Sequence, residues 1–141
     1  MTIEIAMYKT RLSILWIFAA VCWVVSFSIN LLMPGVVQGL LNGQIGGKPI
    51  SEFQMTLYAL FYIYPFTMAV LSLTLKGSLN RWLNFGMGIV GAIFLLLDLG
   101  IHVINLIQGG HESLAIWLTM IAGVVVAVVI VWLAWKYPKG E

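Results

Sequence analysis

Residues 83–107 read LNFGMGIVGAIFLLLDLGIHVINLI, and how this run folds decides everything around it. At about 1.5 Å of rise per residue it is long enough, as a helix, to cross a hydrocarbon core of about 30 Å. In lipid the backbone has to satisfy its own hydrogen bonds, so helix is the conformation such a run allows. Strands of a membrane barrel would alternate polar and apolar residues, and these residues do not. Two groups interrupt the run, the carboxylate of Asp98 and the imidazole of His102.

Outward from it, three further runs of the same kind occupy residues 12–33, 55–75 and 114–135. The whole chain is 62% hydrophobic and 9% charged, with a mean hydropathy of +1.04. Soluble domains are about half apolar and about a quarter charged. Seven basic and five acidic residues cannot clothe a soluble core of this size. The expected fold is therefore all-α: an antiparallel four-helix transmembrane bundle, one integral domain over residues 1–141, with the lipid bilayer as its surroundings. The first run is longer than the apolar part of a signal peptide and no small-x-small cleavage site follows it, so it is expected to stay in the mature chain.

The basic residues set the direction of threading. Lys9, Arg11, Lys76, Arg81, Lys136 and Lys139 fall at the two ends and in the second connection, and only Lys48 lies in the others. The positive-inside rule then puts both termini in the cytoplasm and the protein in the plasma membrane. A net charge of +2 is too small to argue for nucleic acid. Trp16, Trp82, Trp132, Trp135 and Tyr137 fall near the inner boundary and Trp117 near the outer one, where amphipathic rings anchor spans among headgroups. Trp23, in mid-span, is expected to pack in the bundle or against lipid. Cys22 is alone, which excludes an intramolecular disulfide.

The connections carry helix-end signals. Met33-Pro34-Gly35 stops the first span, Ser51-Glu52-Phe53-Gln54 has the form of a capping box, and Gln108-Gly109-Gly110 ends the third. In the longest connection, 34–52, Pro34 as a first helical residue followed by Val36, Val37, Leu40, Leu41 and Asn42-Gly43 predicts a short interfacial helix, then a tight glycine-rich turn.

Several of these segments taken together resemble a known family. RLSILWIF at 11–18, PGVVQGLLNGQIGGKPI at 34–50, YPFTMAVLSLTLK at 64–76, NRWLNFGMG at 80–88 and VWLAWKYPK at 131–139 are similar to small prokaryotic four-helix integral membrane proteins grouped as a domain of unknown function. Leu15-Trp16-Ile17, the glycine-rich connection and Asn80-Arg81-Trp82 are the most specific parts. The resemblance implies the same bundle, and it brings no activity, cofactor or catalytic residue.

Asp98, His102 and Asn105 stand at i, i+4 and i+7, a polar stripe on one helix face that reaches from the outer surface to about the midplane. A carboxylate at that depth costs a few kcal/mol, so it faces the bundle interior or a wet cavity in most proteins and is a functional candidate by default. Ser26 with Asn30, and Tyr58 with Tyr62, lie one turn apart in neighbouring spans. Those residues could line one outward-facing pocket that binds a small ligand or cation, with Asp98 as charge partner, His102 as protonation switch and Asn105, Asn30 and Tyr62 as orienting groups. The alternative is a structural or accessory subunit whose polar residues only specify helix packing.

No metal site or cofactor is expected. Asp98 and His102 would need two or more further ligands, and the remaining pair, His111 and Glu112, lies in a loop. Haem between two histidines fails because only His102 is within a span. No nucleophile elbow, phosphate loop, HExxH or CxxC is present, which disfavours an enzyme. Pro65 is expected to kink the second span. Gly88 with Ala92 and Gly123 with Ala127 have the small-xxx-small spacing that lets helices approach closely, either within the bundle or in a homo-oligomer.

Overall fold

The structure is a computed structural model, and it describes residues 2–45, 47–109 and 113–138. Gly110, His111, Glu112 and Lys139 lie outside the described residues. Four long helices make up nearly all of it: α1 (Thr2–Leu31), α3 (Glu52–Thr74), α4 (Gly77–Ile107) and α5 (Leu114–Lys136), with a short α2 (Val36–Leu41) between the first two. All four long helices are long and apolar enough to cross a membrane. The partition of side chains agrees with a hydrocarbon surrounding. Leu97, Leu118 and Val70 are each about 60% exposed, whereas Asn80 and Asn84 are 0% exposed. A water-soluble protein is built the other way round.

The helix limits follow local chemistry. Ser51 and Gln54 form the capping box expected at the start of α3, with Gln54 N–H donating to Ser51 Oγ at 3.2 Å and Ser51 N–H to Gln54 Oε1 at 3.0 Å. Helix α3 is continuous through Pro65, which is buried. Helices α1 and α4 start well before the apolar runs do, at Thr2 and Gly77. The amphipathic first turns were not counted in the spans because hydropathy alone marks only what hydrocarbon must cover.

The connection after α1 holds more structure than a helix and a turn. Gly35, at φ 82°, precedes α2 as its N-cap, so Pro34 stands outside the helix rather than at its first position. Beyond Asn42, strands β1 (Gln44–Ile45) and β2 (Lys48–Pro49) pair antiparallel, with Gly47 at φ 76° in the turn between them. Two-residue strands lie below what alternation in a sequence can reveal.

Helices α1 and α5 lie in the middle of the bundle: α1 packs along α3 and α5, α5 packs along α1 and α4, and α3 and α4 touch sparingly. Leu12, Trp16, Met68, Ala69, Ile130 and Ala134 fill the core where these helices meet. The α4–α5 contact is set by small residues: a Cβ on Gly88 would lie 2.9 Å from Val131 Cγ2 and 3.1 Å from Ile130 Cγ2, and one on Gly123 would lie 3.3 Å from Leu95 Cδ2. Ala127 is buried in the same helix face.

Two aromatic residues depart from the anchoring role. Trp16 is 1% exposed and Tyr137 is 2% exposed. Because α1 begins at Thr2, Trp16 lies more than three turns inside the helix rather than at its boundary. Tyr137 packs edge-on against Tyr8, with ring centroids 6.0 Å apart. Trp82, Trp132 and Trp135 do face outward, and Trp23 stacks on Phe61 at 5.4 Å.

Overpacking the α4–α5 contact should destabilise the fold while a nearby open glycine tolerates change. Gly88→Leu should cost about 1–3 kcal/mol, read as an earlier unfolding midpoint in a mixed-detergent titration. Gly86→Ala, with nothing within 4 Å of the new methyl, should be neutral or slightly stabilising.

Candidate functional site

Two groups of polar residues occupy different parts of the bundle. The first lies towards the end that holds the α3–α4 turn, which also carries Lys76, Arg81 and Lys136 and is called the basic end below. The second is the set singled out from sequence, nearer the opposite, loop end.

At the basic end α3 stops at Thr74 and α4 starts at Gly77, so the chain reverses in two residues. The last carbonyls of α3 have no partner within that helix. Asn80, in the first turn of α4, supplies one: its Nδ2 donates to Ser72 O at 2.9 Å and to Leu75 O at 3.3 Å. One turn on, Asn84 Nδ2 donates to Asn80 O at 2.8 Å and to Asn80 Oδ1 at 2.6 Å. Asn84 Oδ1 accepts from Trp16 Nε1 at 2.7 Å. Ser72 Oγ lies 2.7 Å from the same oxygen and 2.6 Å from Met68 O, and its single proton serves one of the two at a time.

Ser72, Asn80 and Asn84 are each 0% exposed, and together with Trp16 they join α1, α3 and α4. An asparagine amide offers two donors and an acceptor with two lone pairs. Asn84 engages both donors and accepts from Trp16, and from Ser72 as well when that hydroxyl proton turns to it, so the buried amide keeps its partners. This network was not among the residues singled out as a site. Its signal was present in the sequence as Asn80 and Asn84 at i, i+4, inside the segment NRWLNFGMG.

The sequence-predicted candidates sit elsewhere and differ in burial. Asp98, Asn105, Asn30 and Tyr58 are exposed, and His102, Ser26 and Tyr62 are half-buried. Asp98 and Tyr58 both lie close enough to Tyr62 to interact with it electrostatically. Tyr62 is also held by rings of α1, with Trp23 at 6.4 Å and Phe27 at 5.6 Å. Asp98 on α4 is thus within electrostatic reach of Tyr62, which follows Tyr58 by one turn of α3. No hydrogen bond or ring contact places Ser26, Asn30 or Asn105 with them among the described residues. Nor do three His, Cys, Asp or Glu side chains converge as a metal site among the described residues.

Beside these residues, the sparse contact between α3 and α4 leaves an open groove of about 220 Å³, bordered by Leu57, Leu60, Phe61 and Tyr64 on α3 and by Met87, Val90 and Phe94 on α4. Phe61 and Phe94 meet across it with centroids 4.2 Å apart. The Tyr64 hydroxyl lies where a Cβ on Gly91 would be, so glycine there is what lets α3 approach. Asp98 follows Phe94 by one helical turn, on the same side of α4.

A family model described as "Family of unknown function (DUF6326)" matches residues 5–141, and the chain belongs to that family. This bears out the resemblance to an uncharacterised membrane family. No curated protein and no solved structure matches the chain.

The buried network predicts strong non-additivity. Asn84→Ala strands the Trp16 indole N–H in a dry site and should cost about 2–4 kcal/mol, and Trp16→Phe about 1–2 kcal/mol. In the double mutant the two losses should overlap by about 1 kcal/mol, measured as a coupling energy from unfolding midpoints.

Proposed function

Since membership of DUF6326 assigns no activity, we propose from the geometry that the protein binds a small organic cation in the cleft between α3 and α4. It does so as a four-pass, antiparallel protein of the plasma membrane with both ends cytoplasmic. Two observations support the threading. Contacts between α4 and α5 run in opposite senses, Gly88 with Val131 and Leu95 with Gly123. Six of the seven basic residues fall at one end of such a path.

The observation that carries the binding reading is the position of Asp98. Helix pairing in this bundle is done by Trp16, Ser72, Asn80 and Asn84, which are buried and hydrogen-bonded. Asp98 is exposed on the open α3–α4 side, with Tyr62 within electrostatic reach, Tyr58 one turn before it, and an apolar groove one turn away. An anionic group with two phenol rings beside an apolar wall suits an ammonium group carried on an apolar body, because aromatic faces and a carboxylate both attract it. Asp98 supplies the charge, Tyr62 and Tyr58 the ring faces, and His102, one turn further along α4, the group whose protonation would weaken cation binding.

The second reading, an accessory subunit, is supported by the network at the basic end, whose polar side chains are engaged with one another. One titration separates the two. With the protein in lipid nanodiscs, benzyltrimethylammonium should bind the wild type, and Asp98→Asn should weaken it by at least tenfold, about 1.4 kcal/mol, with the unfolding midpoint nearly unchanged. Loss of folding in Asp98→Asn, or equal binding by both proteins, would favour the packing reading.

A further inference from the structure

At the basic end two cations are held by indoles on one outward face of α4 and α5. The guanidinium of Arg81 lies over Trp82 at 5.2 Å and over Trp135 at 5.4 Å, and Lys136 Nζ lies over Trp132 at 4.4 Å. All three tryptophans are more than half exposed. Both cations come from the ends of their helices, Arg81 from the second turn of α4 and Lys136 from the last turn of α5. Phe85 bridges the two indoles that hold Arg81, with its ring 5.8 Å from Trp82 and 5.5 Å from Trp135.

Among the described residues Arg81 has no paired countercharge. Its Nε is buried with no hydrogen-bond partner, and no carboxylate among the described residues pairs with it. Two indole faces lie against the guanidinium carbon, an attraction that restrains the group while its N–H donors remain the means of binding an anion. A planar guanidinium held against two indoles matches the oxygens of a phosphate better than a mobile lysine does. Exposed tryptophans mark the depth of lipid headgroups, so the phosphate nearest this group belongs to a lipid.

We infer that Arg81, clamped by Trp82 and Trp135 and assisted by Lys136, forms a binding site for the phosphate of an anionic phospholipid. The ligand's acyl chains run down the exposed apolar flank of α4 and α5. Charge complementarity selects an anionic over a zwitterionic lipid, whose own choline or ethanolamine cation would oppose Lys136. The inference does not depend on the cation cleft around Asp98, which lies nearer the other end of α4.

Native mass spectrometry of delipidated protein in a non-ionic detergent tests it. Phosphatidylglycerol should form adducts at several-fold lower concentration than phosphatidylcholine with the same chains. Arg81→Gln should bring the two lipids level, Lys136→Gln should lower the preference by about half, and Arg11→Gln, on the exposed face of α1, should leave it intact. Lys136→Gln keeps the test decisive if Arg81→Gln fails to fold. Equal binding of both lipids by the wild type would overturn the inference, as would an unchanged preference in Arg81→Gln and Lys136→Gln. So would displacement of phosphatidylglycerol by millimolar inorganic phosphate, which would mark a site for the free ion instead.

Discussion

The hydrogen bond from Trp16 Nε1 to Asn84 Oδ1 is the contact on which the rest of the basic end depends. An indole N–H donates and cannot accept, so the atom opposite it has to be the amide oxygen. That choice turns Asn84 Nδ2 towards Asn80, and Asn80 in turn directs its own amide N–H groups at the terminal carbonyls of α3. One donor on α1 therefore sets the orientation of two amides on α4 and closes the end of α3. In a dry interior no water replaces a lost partner, so the chain of bonds is specified as a unit. Individual hydrogen bonds between membrane helices average only about 0.6 kcal/mol, and the value of this set lies in fixing which helices meet and at what rotation.

The same constraint explains why the two ends of the bundle differ. Near the α3–α4 turn, Asn80 and Ser72 hold the two helices together, and α1 and α5 close the core around them with Leu12, Ile130, Leu133 and Ala134. Away from the turn α3 and α4 keep in touch mainly where Gly91 admits Tyr64 and where Phe61 meets Phe94. The space left beside those contacts is the apolar groove, and the polar residues beyond it remain exposed. A tightly hydrogen-bonded end and a sparsely packed side give the fold a fixed base and a face with room for a ligand.

Much of the architecture was legible in the sequence because hydrocarbon makes a simple demand: four long apolar runs are four helices, and Ser51 with Gln54 marks a helix start by its own chemistry. The extension of α1 back to Thr2 was not legible, since those first turns answer to packing against Tyr137 and not to the thickness of lipid. That shift of register moved Trp16 from a boundary anchor to the core. The polar residues were read in the order of their cost, which favoured Asp98 over the asparagines. Cost does not reveal pairing: Asn80 and Asn84 are neutral and cheap to bury only because Trp16 and Ser72 meet them from other helices, a fact of tertiary structure.

The most direct test of this account is proton exchange at the Trp16 indole, observed by NMR of protein with nitrogen-15 in its tryptophans, in detergent micelles. The Trp16 Nε1 proton should exchange far more slowly than those of the exposed Trp82 and Trp132 and should move on Asn84→Leu substitution. Exchange as fast as at those two exposed indoles, or a resonance indifferent to residue 84, would contradict it.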